Sequence, residues 1–511
     1  MDAHEIAENL LCSIINIKQE EETFLVQLLS DGKYNEILDI ATKILSQDQL
    51  NFYNAIFNQD RKYYILTGLP GTGKSFLQNT IHLRLILEDM GNFLCLAPTN
   101  LIAFQQHGRT IHSALKDFCR QLDLSVFKVE DDLVGRLTKT KEDLQKLNLV
   151  DLKEVIASEF KLTHLDEVIQ TILIDEGSMV SSLLFSLLDL YYTNAKFIIM
   201  VGPNQLPPVN GFPSCDQVID DALIENLQTQ MRFDKDCYHF KDFVSFFNDV
   251  ISGNVDNGEM IEKMRYYYNK IEIGGTLADY NNLKEKNKIL IVSTNKQRCI
   301  ENELRLAQEE GPVYEFEAKF SGKPVHTNYN LESNLGIDKV LKIKLGVKCI
   351  VKCNDIYNGL IKGMTVTIVN VIGDDIIAIN NWDREITINR YDFEINEYST
   401  VSQYPIALFY SATAHTTQGK TLDGKVGISL VHFSDIVLKK SFFVAMTRVR
   451  HPKQLYMDKH PICFLTNSAL DMIDIEKIKN VTIKKPKFDF CIDNIYNVTE
   501  LSNFITLKNE V

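Results

Sequence analysis

The sequence predicts an α/β protein with two parallel sheets, a helical insertion and a small antiparallel β region. A strand-forming run at 63–67 leads into the glycine loop 68–75, and a segment with helical periodicity follows. Further buried strands end in polar residues near 100, 175, 202 and 295. Short alternating strands separated by turns occupy 341–395. Strands followed by helices build parallel sheets, whereas strands joined by short turns build antiparallel ones.

The glycine loop identifies a nucleotide site. Residues 68–75 read G-x-x-x-x-G-K-S between a strand and a helix, and this context makes the pattern specific for a bound NTP. Backbone N–H groups converge there on the phosphates, at a helix N-terminus. Lys74 is expected to reach the β- and γ-phosphates, and the Ser75 hydroxyl to hold Mg²⁺. The remaining residues expected to contact the nucleotide are Gly68, Pro70, Gly71, Thr72 and Gly73.

Composition and charge limit the number of domains and the kinds of partner that the chain can have. The chain has 511 residues, 45% of them hydrophobic and 24% charged, which predicts about three to four globular domains. The net charge of −14 argues against a wholly basic surface, but a narrow basic channel would still suffice for nucleic acid. The Lys- and Asn-rich composition points weakly to an A·T-rich genome, such as that of a virus.

The cysteine pattern and the N-terminal residues indicate the cellular compartment of the protein. Ten cysteines without a C-x-x-C pair indicate reduced thiols in an intracellular protein. The first residues lack the basic start and apolar stretch of a signal peptide. No apolar run approaches the ~20 residues that span a bilayer. We therefore expect an intracellular protein that is neither secreted nor bound to a membrane.

The region before the glycine loop is predicted to be helical. Apolar residues recur at helical spacing through residues 1–45, which we interpret as an appendage that packs on the rest of the chain. The alternative is a module that docks a partner. Residues 46–49 then cap a further helix that begins at Leu50. A side-chain amide at Gln49, shortly before the phosphate loop, could read both edges of adenine.

Polar residues follow the next predicted strands. Thr99 and Asn100 end a buried strand, and Thr110 and His112 follow soon after, so all four belong at the carboxyl edge of the sheet, where ligands bind. Residues 115–168 are charged and helical in pattern, without a strong strand, and we interpret them as an insertion with a solvated face.

Two carboxylates complete the predicted catalytic site. A strand at 171–174 ends in Asp175 and Glu176, the expected partners of a phosphate loop. Asp175 would hold Mg²⁺ through water, and Glu176 would orient and deprotonate the attacking water. Gln205, after the strand 196–201, would sense whether the γ-phosphate is present.

These motifs, in this order, closely resemble superfamily 1 helicases of the PIF/RecD branch. The segments that carry the resemblance are Gln49, 68–75, 97–100, 108–112, 175–179 and 205–209. The branch usually has Gly-Asp before the glutamine, whereas this chain has Gly202-Pro203-Asn204. The resemblance implies that Pro208 joins Thr99, Asn100, Thr110 and His112 in contacting nucleic acid.

The second half of the chain extends the resemblance. Residues 410–421 match the family's T-x-H-x-x-Q-G-x-T, although Thr416 stands where many relatives have lysine. This match implies that Gly419 approaches the nucleotide and that Thr413, His415, Thr416 and Gln418 contact nucleic acid. Residues 443–449 match aromatic-V-A-x-S/T-R. The resemblance makes Arg448 the better candidate for an arginine finger and Arg232 a second one.

The resemblance implies two RecA-like P-loop domains in tandem. The first motor domain would span 46–225, with the insertion 115–168, and the second would combine 226–340 with 397–465. Between them in sequence, 341–396 would form a small β-barrel of the Src-homology-3 type that leans against nucleic acid. Residues 466–511, basic and then aromatic, would form a C-terminal tail. ATP would bridge Lys74 to the arginines, so that binding and hydrolysis close and open the two domains.

The resulting hypothesis is an ATP-dependent 5′-to-3′ DNA helicase that requires Mg²⁺, the polarity being implied by the resemblance alone. Its expected partners are single-stranded DNA, forked or tailed duplex, and replication or repair proteins that dock on the N-terminal appendage or the C-terminal tail. Its expected location is the nucleus or another site of DNA replication. Two alternatives stay open: an RNA helicase of the same superfamily, and a nucleotide-gated clamp that does not unwind.

Overall fold

The structure is a computed structural model of the chain. The residues that it describes are 3–18, 22–88, 92–125, 129–137, 143–144, 147–160, 162, 165–202, 221–229, 231, 233, 237–252, 257–283, 285, 287–322, 331, 335–355, 358–380, 383–396, 399–418, 420–422, 424–430 and 436–458. These residues group into two compact units. One unit contains the described residues of 1–232 and 312–407, and the other contains those of 233–311 and 408–458.

A six-stranded parallel sheet organises the described part of the first unit. In spatial order its strands are β3 (Arg109–Thr110), β2 (Asn92–Ala97), β4 (Ile169–Ile174), β5 (Lys196–Val201), β1 (Tyr63–Gly68) and β6 (Leu223–Leu227). Strand β5 lies between β1 and β4, with Ile199 opposite Ile65 on one side and Ile174 on the other. Because the strands are parallel, their carboxyl ends share one edge, which receives the phosphate loop after β1 and Asp175 after β4.

Helices cover both faces of this sheet. In chain order they are α1 (Ala3–Lys18), α2 (Glu22–Ser30), α3 (Tyr34–Ile44), α4 (Gln47–Asn58), α5 (Lys74–Leu87), α6 (Asn100–Gln105), α7 (Ile111–Ala114), α8 (Lys116–Gln121), α9 (Val129–Arg136), α10 (Leu149–Glu159) and α11 (Ser182–Tyr191). Successive strand residues point to opposite faces. Accordingly Tyr64 packs with α4 and α5 in one core, while Tyr63 packs with α8–α11 in the other.

The predicted insertion is helical and packs into the main core. Phe118, Leu133 and Leu152, from α8, α9 and α10, are buried in the same cluster as the strands. The Asp189 carboxylate of α11, fully buried, pairs with Lys153 of α10 and with Lys62, 2.8 Å away. The insertion is therefore fixed by apolar burial and by a carboxylate with two cationic partners.

The N-terminal helices pack on helix α5, in agreement with their apolar spacing. Ile6, Leu10 and Ile37 from α1 and α3 are buried together with Leu83 of α5. Helix α5 begins at Lys74, so the N-terminal helices pack on the helix that follows the glycine loop.

Antiparallel sheets fill most of 312–407. A five-stranded sheet has the order β14 (Glu385–Ile388), β13 (Asp375–Asn380), β12 (Thr365–Ile372), β11 (Lys348–Val351) and β17 (Ile406–Leu408). A three-stranded sheet joins β15 (Tyr391–Asn396), β16 (Ser399–Gln403) and β9 (Lys319–Gly322), and a pair joins β10 (Val340–Ile343) and β8 (Tyr314–Glu317). The antiparallel region thus begins before the expected boundary at 341, because β8 and β9 pair with strands on its far side, β10 and β16.

The second unit contains a four-stranded parallel sheet among its described residues. Its order is β18 (Ser411–Thr413), β7 (Lys288–Val292), β19 (Lys425–Ser429) and β20 (Leu455–Tyr456). Its helices are α12 (Tyr238–Ile251), α13 (Asn257–Lys270), α14 (Leu277–Asn282), α15 (Asn295–Gln308), α16 (Ala414–Thr417) and α17 (Ile436–Met446). The prediction of two parallel α/β sheets in tandem is confirmed. Among the described residues no helix is both long and apolar enough to cross a membrane.

Candidate functional site

The phosphate loop joins buried β1 to α5. Gly71 and Gly73 have φ angles of +91° and +82°, a left-handed conformation that residues with a Cβ rarely adopt. The Thr72 hydroxyl donates to the carbonyl oxygen of Leu69 over 2.9 Å, which closes the loop on itself. The predicted nucleotide-binding residues therefore run from the end of β1 through the loop into the first turn of α5: Gly68 ends β1, Pro70, Gly71, Thr72 and Gly73 form the loop, and Ser75 lies in α5.

Lys74 lies over this turn. Its Nζ donates to the carbonyl oxygens of Gly68, 2.6 Å away, and Leu69, 3.1 Å away. Its positive charge also acts on Asp175, where it opposes the rise in the pKa of that carboxyl that burial causes. The lysine of β1–α5 and the carboxylate of β4 therefore share the same edge of the sheet, as the motif predicts.

The side chain of Gln49 is hydrogen-bonded to the backbone of the phosphate loop. It is 3% exposed, and its Oε1 accepts from the backbone N–H of Ser46 over 3.0 Å. Its Nε2 donates to the carbonyl oxygens of Thr72, at 3.2 Å, and Gly73, at 3.4 Å. Both ends of the amide thus bind the protein's own backbone, and recognition of adenine by Gln49 stays a prediction.

A segment that sequence reasoning missed also holds the loop. After β6, the backbone N–H of Met231 donates to the carbonyl oxygen of Gly71 over 2.7 Å. The backbone N–H of Gln228 donates to the Asp48 carboxylate of α4 over 2.9 Å. Nothing in the local sequence indicates these contacts, because they depend on β6 lying next to β1 in the sheet.

Asp175 and Glu176 follow β4 at the same edge. Asp175 is 7% exposed, and its Oδ1 accepts from the backbone N–H of Glu176 over 2.8 Å. Its Oδ2 accepts from Nε2 of Gln106 over 3.2 Å. Gln106, just after α6, was not a predicted site residue. Its contact with Asp175 depends on β2 and β4 being neighbours, which the sequence does not show.

Burial, together with the nearby charge of Glu176, raises the pKa of Asp175 to about 7 in spite of the opposing charge of Lys74. A buried carboxylate whose charged form is disfavoured is stabilised by a cation. The hard oxygen donors of Asp175 and Ser75 are those that Mg²⁺ prefers. These residues therefore fit a nucleotide-bound magnesium ion.

Glu176 has a strained backbone. Its φ and ψ of 50° and 43° lie in the left-handed region, unusual for a residue with a side chain. The next residue must be small, because a Cβ on Gly177 would lie 2.4 Å from Cγ2 of Ile199. Strain of this kind concentrates at functional sites, where it fixes the direction of a side chain.

The predicted nucleic-acid residues of the first unit lie at the ends of β2 and β3. Thr99 caps α6, where its hydroxyl accepts from the N–H of Ile102, and Thr110 caps α7 in the same way. Burial lowers the pKa of His112 on α7. The Asn100 Oδ1 accepts from Nδ2 of Asn354, in the antiparallel region, over 2.7 Å.

The corresponding residues of the second unit lie around α16. Thr413 ends β18, and its hydroxyl oxygen lies 3.1 Å from that of Thr416. His415 is exposed on α16. Gln418 is buried, and neither of its amide atoms has a hydrogen-bond partner among the described residues. The structure therefore brings these four residues together around one short helix.

Arg448, the predicted finger, is 1% exposed. Its Nε donates to the carbonyl oxygen of Val444 over 2.8 Å, and one terminal nitrogen donates to the Thr447 hydroxyl over 2.9 Å. These contacts lie within the second unit, and the finger role stays a prediction. Four other predicted site residues, Gln205, Pro208, Arg232 and Gly419, lie outside the described residues, as does the tail 466–511.

The chain is similar to proteins of known function. A family model described as an AAA domain matches residues 53–211. The ATP-dependent DNA helicase Pif1 of Campylobacter jejuni is 25% identical over 76% of this chain and 87% of that protein. Its namesake from Bdellovibrio bacteriovorus is 24% identical over 84% of this chain and 91% of that protein.

Solved structures agree in fold. The Bacteroides Pif1 helicase in complex with ADP-AlF3 and single-stranded DNA has a TM-score of 0.57 and 20% identity, and covers 86% of this chain and 98% of that one. The resemblance predicted from the motifs is confirmed, since the chain is similar to Pif1 helicases over about three quarters or more of its length.

Proposed function

We propose that this protein is an ATP-dependent DNA helicase that moves 5′-to-3′ on single-stranded DNA and unwinds the duplex ahead. The observation that carries the proposal is the shared edge of the first sheet, which holds Lys74, Asp175 and Glu176. The charge of Lys74 acts on Asp175 across strand β5, which supports one site with a phosphate-binding part and a metal-binding part. The similar proteins are named as DNA helicases.

The nucleotide chemistry follows from these residues. Lys74 and the N–H groups of the loop bind phosphate oxygens, and Ser75 and Asp175 would hold Mg²⁺. Magnesium would neutralise charge on the phosphates. Glu176, held by its left-handed backbone, orients the attacking water and accepts its proton.

The nucleic-acid contacts that we propose use hydroxyl, amide and imidazole groups in or next to the short helices α6, α7 and α16. Thr99, Asn100, Thr110 and His112 supply them in the first unit, and Thr413, His415, Thr416 and Gln418 in the second. Groups of this type bind the phosphate backbone without reading sequence. The Bacteroides Pif1 structure with single-stranded DNA and a second Pif1 structure described with forked duplex support these partners.

We assign the antiparallel region to a small barrel of the Src-homology-3 type. Its five-stranded sheet contains the strands predicted from the turns of 341–396. The hydrogen bond from Asn354 to Asn100 supports a position beside the strand-binding helix α6. We further propose that the protein acts inside the cell at a site of DNA replication, and that replication or repair proteins dock on the N-terminal helices or the C-terminal tail.

One set of assays tests this function. ATP hydrolysis is measured with single-stranded DNA, with single-stranded RNA and without polymer, and unwinding is measured on duplexes with a 5′ tail, a 3′ tail or a fork. Stimulation by DNA and unwinding of the 5′-tailed and forked substrates are expected. Equal stimulation by RNA would favour the RNA helicase, and ATP-dependent binding without unwinding would favour the clamp.

Two variants connect the activity to the site. Lys74→Ala should abolish hydrolysis by removing the phosphate contact, and Glu176→Gln should abolish it while nucleotide binding is retained. Normal turnover in either variant contradicts the role assigned to that residue.

A further inference from the structure

Gln106 connects two parts of the first unit that would bind different ligands. It follows α6, whose first turn contains the proposed strand contacts Thr99 and Asn100, and its backbone N–H donates to the carbonyl oxygen of Ile102 over 3.0 Å. Its side chain reaches β4, where Nε2 donates to Oδ2 of Asp175 over 3.2 Å. One residue thus spans the distance from the strand-binding helix to the metal-binding carboxylate.

This bond is one of the two hydrogen bonds that the described residues make to the Asp175 carboxylate. Among the described residues, Gln106 is the one side chain that hydrogen-bonds to it, since the other contact comes from the backbone N–H of Glu176. Gln106 is 5% exposed, and its Oε1 is buried without a hydrogen-bond partner among those residues. A buried polar group that is only half satisfied is unfavourable for stability, which indicates a role other than packing.

The chain holds Gln106 firmly to the end of α6. After it, the backbone N–H of His107 donates to the carbonyl oxygen of Phe104, and that of Gly108 to Ala103 over 2.7 Å. A Cβ on Gly108 would lie 2.1 Å from the carbonyl oxygen of Cys95, so the chain here presses against β2. A displacement of α6 therefore also displaces the Gln106 amide.

The other end of α6 is also connected. The Asn100 Oδ1 accepts from Asn354, and a Cβ on Gly363 would lie 3.4 Å from Cβ of Leu101. Residues of the antiparallel region thus contact the turn that would hold the strand. The contacts form a continuous path from Asn354 through α6 and Gln106 to Asp175.

We infer that Gln106 is a positioning residue that couples binding of a nucleic-acid strand at α6 to binding of the metal–nucleotide complex at Asp175. The inference rests on the proposed function. Coupling is reciprocal: nucleotide changes the affinity for the strand by the same factor as the strand changes the affinity for nucleotide. Removing the amide should therefore reduce both effects together.

The test compares Gln106→Met with Gln105→Met in the full chain. Methionine keeps the length of the side chain and removes the amide. Gln105 is the exposed last residue of α6 and precedes Gln106 directly, so its variant controls for the substitution itself. Fluorescence anisotropy gives the Kd for labelled single-stranded DNA with and without Mg²⁺ and a non-hydrolysable ATP analogue. Thermal unfolding is measured in parallel.

The ratio of the two dissociation constants is the decisive quantity. The Kd for DNA without nucleotide, divided by the Kd with nucleotide, should be the same in wild type and in Gln105→Met. In Gln106→Met the factor by which nucleotide changes the Kd should be at least fivefold smaller. An unchanged ratio in Gln106→Met overturns the inference. If this variant does not fold, Gln106→Leu is measured in its place with the same criterion.

The outcome also separates the inference from the proposed function. A wild-type protein whose DNA affinity does not respond to nucleotide, and whose hydrolysis does not respond to DNA, contradicts the helicase and with it the coupling. A wild-type protein that responds in both assays, together with an unaffected Gln106→Met, contradicts the coupling alone.

Discussion

Nε2 of Gln49 donates to the carbonyl oxygen of Thr72 across 3.2 Å, so the phosphate loop is held in shape from behind by a side chain of α4. The same amide binds Gly73 and the backbone of Ser46. A residue expected to read the base therefore has a second role, in supporting the loop.

Replacing Gln49 separates these two roles. Gln49→Ala removes the two donor contacts to the loop, each contributing about 0.5–1.5 kcal/mol, so nucleotide binding should weaken about tenfold. If support of the loop dominates, the affinities for ATP and GTP fall equally. If recognition of adenine dominates, the affinity for ATP falls more. Gln47→Ala, on the exposed side of α4, is the control, and titration with fluorescent nucleotides gives the Kd values.

Gly73→Ala should disable the loop. The φ of +82° is unfavourable for alanine, and its Cβ would lie 2.6 Å from Nε2 of Gln49. We expect nucleotide affinity to fall at least tenfold, because the loop must rearrange. Gly135→Ala is the matched control, since a Cβ at Gly135 of α9 meets nothing within 4 Å. Equal nucleotide affinity in the two variants would show that the loop tolerates a side chain at position 73.

His82 should make the protein sensitive to acid. Burial lowers the pKa of His82 to about 3, below its ordinary value of 6.5. Between these values the unfolded chain binds a proton that the native protein does not, so stability is lost as pH falls below 6.5. From pH 6.5 to 5 this residue should reduce the free energy of unfolding by about 2 kcal/mol.

Urea unfolding at several pH values measures this contribution. His82→Met should flatten the acid side of the stability profile, and His239→Met, at a histidine of α12, controls for the substitution itself. A His82→Met profile as steep as that of wild type would assign the acid sensitivity to other groups.

Arg448 provides a test of the predicted finger. Arg448→Lys keeps the charge but loses the planar fork, and the resemblance predicts that kcat for DNA-stimulated hydrolysis falls ~10³-fold. Arg450→Lys, at an exposed position in the same segment, is the control. Steady-state kinetics and thermal unfolding are measured on both. A lower melting temperature with unchanged kcat would instead make the buried Arg448 a packing residue.

Much of the fold could be predicted from local sequence patterns. The strand–loop–helix at 63–87, the strand before Asp175 and the short strands after 341 all lie where periodicity and turn residues predict them. These features are local because strand and helix periods, glycine requirements and caps act over a few residues. The beginning of the antiparallel region was placed too late, since β8 and β9 depend on pairing with distant strands.

The sequence by itself determined the chemistry of this protein: a loop whose glycines and lysine suit phosphate, two carboxylates after a strand, and the order of motifs that identifies the family. Only the tertiary structure decided which side chains support that chemistry. Gln106 meets Asp175, Gln49 meets Thr72 and Asn354 meets Asn100 because of the order in which strands and helices pack. That order comes from apolar burial summed over the whole core, which no short stretch of sequence specifies.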